Sequence, residues 1–217
     1  MKKTFTLSIV ATFLVIYANA QINKGSVLFG GTLNFYTDQL KNSDSVVLKS
    51  NNFSITPSIG FAVDTNTIVG VSLFYGNSNN KGFVSFEQKS NTYGAGIFAR
   101  RYKPISKNFY LYAETNLMFD YTSYNYSEHI YNQSEYDSKA FDINLNISPG
   151  VAYSLTHCIQ LEAGLQNLLS VAYTHRKEDS KDNAYTNFKE NNFTLSSSLN
   201  PVSFGSVFIG LQFLFNK

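Results

Sequence analysis

Three groups of residues carry side chains able to do chemistry. Ser127, Glu128 and His129 supply a hydroxyl, a carboxylate and an imidazole, the residue types of acyl transfer. Such groups act only when nucleophile, base and orienter meet in space within hydrogen-bond reach, which neighbours in one loop rarely do. They are read as solvated loop residues, and no catalytic residue is assigned. The second group is Arg100, Glu114, Asp120, Asp142 and Glu162, five charges spread over segments that are otherwise poor in charge. The third is Tyr124, Tyr126, His129, Tyr131 and Tyr136, interleaved with Asn and Ser. Tyr, Ser and Asn together make an adaptable contact surface, so this stretch is a candidate external contact loop for a ligand the sequence does not identify. There is no H-E-x-x-H, no glycine-rich phosphate loop and no Cys/His cluster, and His129, His157 and His175 are dispersed. No metal or cofactor is called for.

The elements that must position these residues follow from a two-residue period. From Phe53 to Val63 the bulky apolar side chains take odd numbers and the small or polar ones even numbers, as in a strand. The period marks eight strands, at about 26–36, 53–63, 69–76, 92–100, 109–121, 141–154, 159–173 and 206–215. Short connectors at 64–66, 103–108 and 155–158 alternate with long polar ones at 37–51, 77–90, 122–139 and 174–192. Pro57 and Pro149 fall inside strands and each remove a ladder donor, so a bulge or bend is expected at both.

Alternation does not say which face is inside; the makeup of the faces does. The even face is Gly, Ser, Thr, Asn and Ala with isolated charges, where a water-facing surface would be rich in Lys and Glu. Small side chains suit the lumen of a narrow closed barrel, and eight strands leave just enough room to fill it. The odd face is nearly free of charge over about 9 to 11 residues per strand, the reach of a tilted strand through hydrocarbon. The expectation is an all-β protein: an eight-stranded antiparallel up-and-down transmembrane β-barrel. Short turns then lie on the periplasmic side and long loops outside, with both termini periplasmic. Tyr75, Tyr93, Tyr121 and Tyr173 fall where an aromatic girdle belongs. The five charges share the inward parity, and Arg100 is expected to pair with Glu114 across adjacent strands, because an unpaired charge in a narrow lumen is costly.

Residues 1–20 read as a signal peptide: Lys2 and Lys3, an apolar stretch from Phe5 to Tyr17, and an A-x-A site at Ala18 to Ala20. Residues 21–217 form the barrel domain. Without Lys2 and Lys3 the charge is balanced, 15 basic against 15 acidic residues, and nothing points to nucleic acid. The single Cys158 leaves no intramolecular disulfide.

The Ala18 to Ala20 site, the segment Gly25 to Phe35, the strand end Ile97 to Pro104 and the terminal Gly210 to Phe215 together resemble the small outer-membrane β-barrel proteins of Bacteroidota, akin to the OmpA-type transmembrane domain. The resemblance implies residence in the cell outer membrane among lipid and lipopolysaccharide, insertion by the barrel-assembly machinery reading the terminal segment, and a monomer. The function expected is non-enzymatic, structural or by surface contact through the external loops. A narrow channel or hydrophobic-solute conduit is the alternative, and a lipid-modifying barrel enzyme a further one.

Overall fold

The computed structural model describes residues 22–42, 45–82, 86–128, 134–180, 188–197 and 207–215. They form ten strands: β1 (Val27–Asn42), β2 (Ser45–Asp64), β3 (Thr67–Lys81), β4 (Phe86–Pro104), β5 (Phe109–Glu128), β6 (Ser134–Ser154), β7 (Ile159–Leu165), β8 (Leu169–Ser180), β9 (Phe188–Ser197) and β10 (Val207–Phe215). All pairings are antiparallel. β7 and β8 both pair with β6 and together make a seventh stave; β9 on β8 and β10 on β7 make the eighth. β10 then pairs with β1 and closes an eight-stave barrel.

The alternation sets the inside. The residues that are buried all carry even numbers, among them Leu28, Ile68, Phe98, Arg100, Tyr112 and Glu162, while large odd-numbered apolar residues are exposed. Small inward residues let large ones cross the lumen. A Cβ on Gly150 would stand 2.5 Å from the Tyr112 hydroxyl, so only glycine leaves the ring that path.

Each stave carries an outward aromatic where its outward face turns from apolar to polar: Phe35, Phe53, Tyr75, Tyr93, Tyr121, Phe141, Tyr173 and Phe193. Tyr75, Tyr93, Tyr121 and Phe141 are ladder partners in sequence, and the rings of Tyr75 and Tyr93 lie 5.4 Å apart. One step toward the turns, the outward residues are Leu33, Ile55, Leu73, Ala95, Phe119, Ile143, Val171 and Leu195; one step toward the loops they are Thr37, Asn51, Asn77, Asn91, Ser123, Lys139, His175 and Asn191. Apolar gives way to polar at a single ring.

Above that ring the staves run on, which corrects the strand and loop bounds expected from periodicity. β5 has 20 residues; at about 3.3 Å per residue and a tilt near 40° it rises roughly 50 Å, about twice a 25 Å apolar band. Much of 37–51, 77–90, 122–139 and 174–192 is therefore paired wall. Side-chain bonds brace it, as between Thr37 and Asn51 (2.9 Å) and between Asn77 and Asn91 (2.9 Å).

The prolines disturb the ladder, as expected, but without the register shift of a bulge. Gly31 pairs with Pro57, and Ala113 with Pro149, without a register shift. Thr56 and Pro57 instead interrupt the β2–β3 ladder, which resumes in register at Ser58. Pro149 falls where β6 passes from β7 to β8, so its missing donor faces the break at 166–168. There Asn167 adopts φ 51°, and its N–H donates to the Ser148 hydroxyl at 3.0 Å. The shifts that do occur lie between Leu40 and Lys41 and between Ala62 and Asp64.

Candidate functional site in the lumen

The short turns and the inward parity bring two tiers of side chains into the barrel. The lower tier, at the turn end, is a floor. Arg100 on β4 stands directly across the ladder from Glu114 on β5. Its Nε donates to Glu114 Oε2 at 2.8 Å, and Nη2 lies 2.7 Å from the same oxygen. Its Nη1 reaches across the lumen to Glu162 of β7, and donates to Gln212 Oε1 of β10 (3.0 Å) and to the Tyr102 hydroxyl (3.1 Å). The guanidinium also lies 4.4 Å from the centre of the Tyr112 ring, a cation–π placement. The Arg100 and Glu162 side chains are 7% and 1% exposed, so this pair is desolvated and holds because several donors and acceptors are satisfied together. Beneath it Leu28, Ile68, Tyr102, Tyr110 and Leu214 pack with Ile22 as an apolar cluster, which Phe98 joins from the cavity side. The turn end is sealed.

The upper tier is a cavity of about 440 Å³, lined by Thr32, Thr56, Ser58, Phe74, Asn116, Met118, Asp120, Asn144, Asn146, Ser170 and others. The lumen is thus packed only in its turn-end half. Asp120 lines this cavity and Asp142 stands across the ladder from it; neither belongs to the Arg100 cluster. Asp120 accepts from Asn144 at 3.0 Å, and Asp142 from the Thr174 hydroxyl at 2.5 Å. Of the five charges grouped by parity, three meet and two stand apart. Tyr102, Tyr112, Gln212, Asn144 and Thr174, which complete both tiers, are not singled out by the sequence; their even numbers are the available signal.

The tyrosine-rich stretch is also placed differently. Tyr124 and Tyr126 are part of β5 and not of a loop, and their even parity turns them into the mouth of the barrel. Their rings stack at 6.0 Å and 18°, Arg176 lies 5.0 Å over Tyr124, and Gln88 donates to the Tyr126 hydroxyl at 3.3 Å. Tyr136 is a β6 residue opposite Tyr126. His129 and Tyr131 lie outside the described residues. Ser127 and Glu128 end β5, opposite Glu135 and Ser134. Among the described residues no group of three or more His, Cys, Asp or Glu is placed to hold a metal ion.

No family model matches the sequence, and no curated protein matches it. Among solved structures, the chain is similar to the translocator domain of autotransporter NalP from Neisseria meningitidis, with a TM-score of 0.50 and 15% identity over 89% of this chain. It spans 65% of the length of that domain. A major outer membrane protein from Thermus thermophilus matches with a TM-score of 0.46 and 12% identity, over 88% of this chain and 98% of that one. At this identity the first likeness speaks to fold alone: the chain has the fold of an outer-membrane β-barrel.

Proposed function

We propose that the protein is an integral barrel of the bacterial outer membrane, non-enzymatic, sealed at its periplasmic end, and presenting its tall polar wall to the exterior as a contact surface. The observation that carries this reading is the ring of eight outward aromatics with apolar residues on one side and polar residues on the other. Such a belt is stable against hydrocarbon and would be an aggregation surface in water. Within this reading the chain is a small OmpA-like barrel of Bacteroidota type, exported by residues 1–20, inserted by the barrel-assembly machinery, monomeric, with both termini periplasmic. The Arg100 floor favours a plug over a channel, since no solvated path accompanies a desolvated ion pair braced by Tyr102 and Tyr112.

Three measurements test it. The protein is expected in the outer-membrane fraction, with a mobility on gels that shifts on boiling; recovery in the soluble periplasm overturns the membrane assignment. In planar bilayers it is expected to be silent, and steady conductance would replace the plug with the channel reading. For the contact role, Tyr124→Ala/Tyr126→Ala cells are expected to lose adhesion to partner surfaces while keeping the gel shift; unchanged adhesion counts against contact through the mouth.

A further inference from the structure

One stretch of the outer wall carries three like charges side by side. Lys139 on β6 stands directly across the ladder from Lys177 on β8, and Lys177 directly across from Lys189 on β9. Their odd numbers turn all three outward, and all three are exposed. Neighbouring strands lie about 4.8 Å apart, so the three stems leave the wall within roughly 10 Å of one another. Like charges directly opposite one another destabilise a strand pair. The row is local: continued along the same register it runs through Ser123, Asn91 and Asn77, all neutral.

Lysines elsewhere on the wall show the balanced alternative. Lys81 on β3 and Lys89 on β4 share the Glu87 carboxylate, at 3.3 and 3.2 Å. Among the described residues no ion pair involves Lys139, Lys177 or Lys189. Glu178 and Glu190, the acids next to two of them in sequence, have the inward parity. Asp137 and Asp179 are ladder partners one row farther from the apolar belt, where Asp137 accepts from Asn125 at 2.8 Å. The wall supplies the row with cations and leaves the anion to come from outside the chain.

Below the lysines the same three strands turn apolar. One row toward the turns stand Phe141, His175 and Asn191, and two rows farther Leu145, Val171 and Leu195, each set paired across the ladder. A row is two residues, roughly 5 Å of height at a tilt near 40°. Lys139 is one row above Phe141, and Lys177 and Lys189 are two rows above Tyr173 and Phe193, so the ammonium groups stem from roughly 5–10 Å above the aromatics. Lipid headgroups occupy about 5–8 Å on each side of the hydrocarbon core, and a lysine lays its apolar stem along the wall to reach that level. We infer that β6, β8 and β9 form a docking face for a phosphorylated lipid of the outer leaflet, with its phosphate on Lys139, Lys177 and Lys189 and its acyl chains against Leu145, Val171 and Leu195. A phosphate monoester brings close to two negative charges and three acceptor oxygens, which suits three ammonium donors. This inference rests on the membrane reading above.

The test is native mass spectrometry of the full barrel in a neutral detergent, with phosphorylated lipid A as the probe. Lys139→Gln/Lys177→Gln/Lys189→Gln is expected to bind it at least tenfold more weakly than the parent, since a basic residue at an anionic lipid surface contributes roughly fivefold. Lys49→Gln/Lys81→Gln/Lys89→Gln removes the same charge from β2, β3 and β4 and is expected to keep the affinity within about threefold. Lipid A stripped of its phosphates is expected to bind the parent no better than the first triple variant binds lipid A. Lys177→Gln alone is expected to keep or raise the urea midpoint in neutral detergent, because it removes the charge between two others, and to fall below the parent once lipid A is added. Unchanged affinity in the first triple variant, an equal loss in the second, or tight binding of the stripped lipid overturns the docking face. So does displacement of lipid A by inorganic phosphate beyond that by sodium chloride at equal ionic strength, which assigns the lysines to a free anion. The gel shift and fractionation separate the two readings: a barrel that shifts and sorts to the outer membrane but binds lipid A without these lysines refutes the face alone, and protein recovered from the soluble periplasm refutes both.

Discussion

Replacing Arg100 with Ala strands two carboxylates. Glu162 is 1% exposed in its side chain and Glu114 20%, so Glu162 has no water to turn to while Glu114 borders the cavity. Removing one partner of a buried pair costs about 3–5 kcal/mol, because the remaining charge stays desolvated. The half-solvated Glu114 adds about 0–1 kcal/mol, and loss of the Tyr112 contact about 1–2 kcal/mol. These terms share one guanidinium and do not add in full, which leaves an expected loss of about 4–6 kcal/mol. The assay is urea unfolding in detergent or vesicles, followed by the gel shift that distinguishes folded from unfolded barrel. A companion variant, Arg100→Met/Glu114→Gln/Glu162→Gln, removes the charges together. It is expected to recover most of the loss, since a buried ionic cluster replaced as a whole by neutral groups is often near neutral in stability. An Arg100→Ala barrel within about 1 kcal/mol of the parent, or a triple variant no better than the single, would refute the argument that desolvated charge governs the floor.

Position relative to the aromatic ring should set the cost of an outward charge. Leu73→Arg, inside the belt, is expected to lose about 2–4 kcal/mol in vesicles, and Asn77→Arg, above the ring on the same strand, about 0–1 kcal/mol; equal effects would remove the hydrocarbon from the argument. Outside the belt, Glu87 accepts from Lys89 (3.2 Å) and Lys81 (3.3 Å), and the Lys89 bond foremost holds its carboxyl below the ordinary 4.5. Its contribution to the β3–β4 hairpin is thus present above that ordinary value and is lost as pH falls through the lowered one. Lys89→Ala should move the Glu87 midpoint upward in an NMR titration, and an unmoved midpoint would assign the shift elsewhere.

What can be read from the sequence, and what cannot, divides along physical lines. Alternation places Arg100 and Glu114 on one face, and the short turn at 103–108 brings them into register. Glu162 meets the same guanidinium from across the lumen, at a distance set by how the barrel is staggered, which no local period encodes. The strand ends are hidden for a different reason. Above the ring the outward face turns polar, so apolar alternation vanishes while the ladder continues on bonds such as Asn125 to Asp137 at 2.8 Å. β9 is hidden too, because only Phe193 and Leu195 keep the period. Tyr124 and Tyr126 read as loop residues on the same ground, although their parity already aims them inward.

The irregularities of the wall are unevenly placed. β3 with β4, β4 with β5 and β5 with β6 pair without a gap over 15, 19 and 20 residue pairs. The interruptions fall elsewhere: the β2–β3 ladder skips Thr56 and Pro57, and β6 passes from β7 to β8 across the break at 166–168, beside Pro149. Random defects would weaken any stave alike, and in hydrocarbon each lost backbone bond costs several kcal/mol. The continuous run from β3 to β6 holds Arg100 against Glu114, and the floor is completed from the interrupted side by Glu162 on β7 and Gln212 on β10. The floor therefore draws on both halves of the barrel: one guanidinium ties the continuous staves to the interrupted ones across the lumen, beneath a polar cavity.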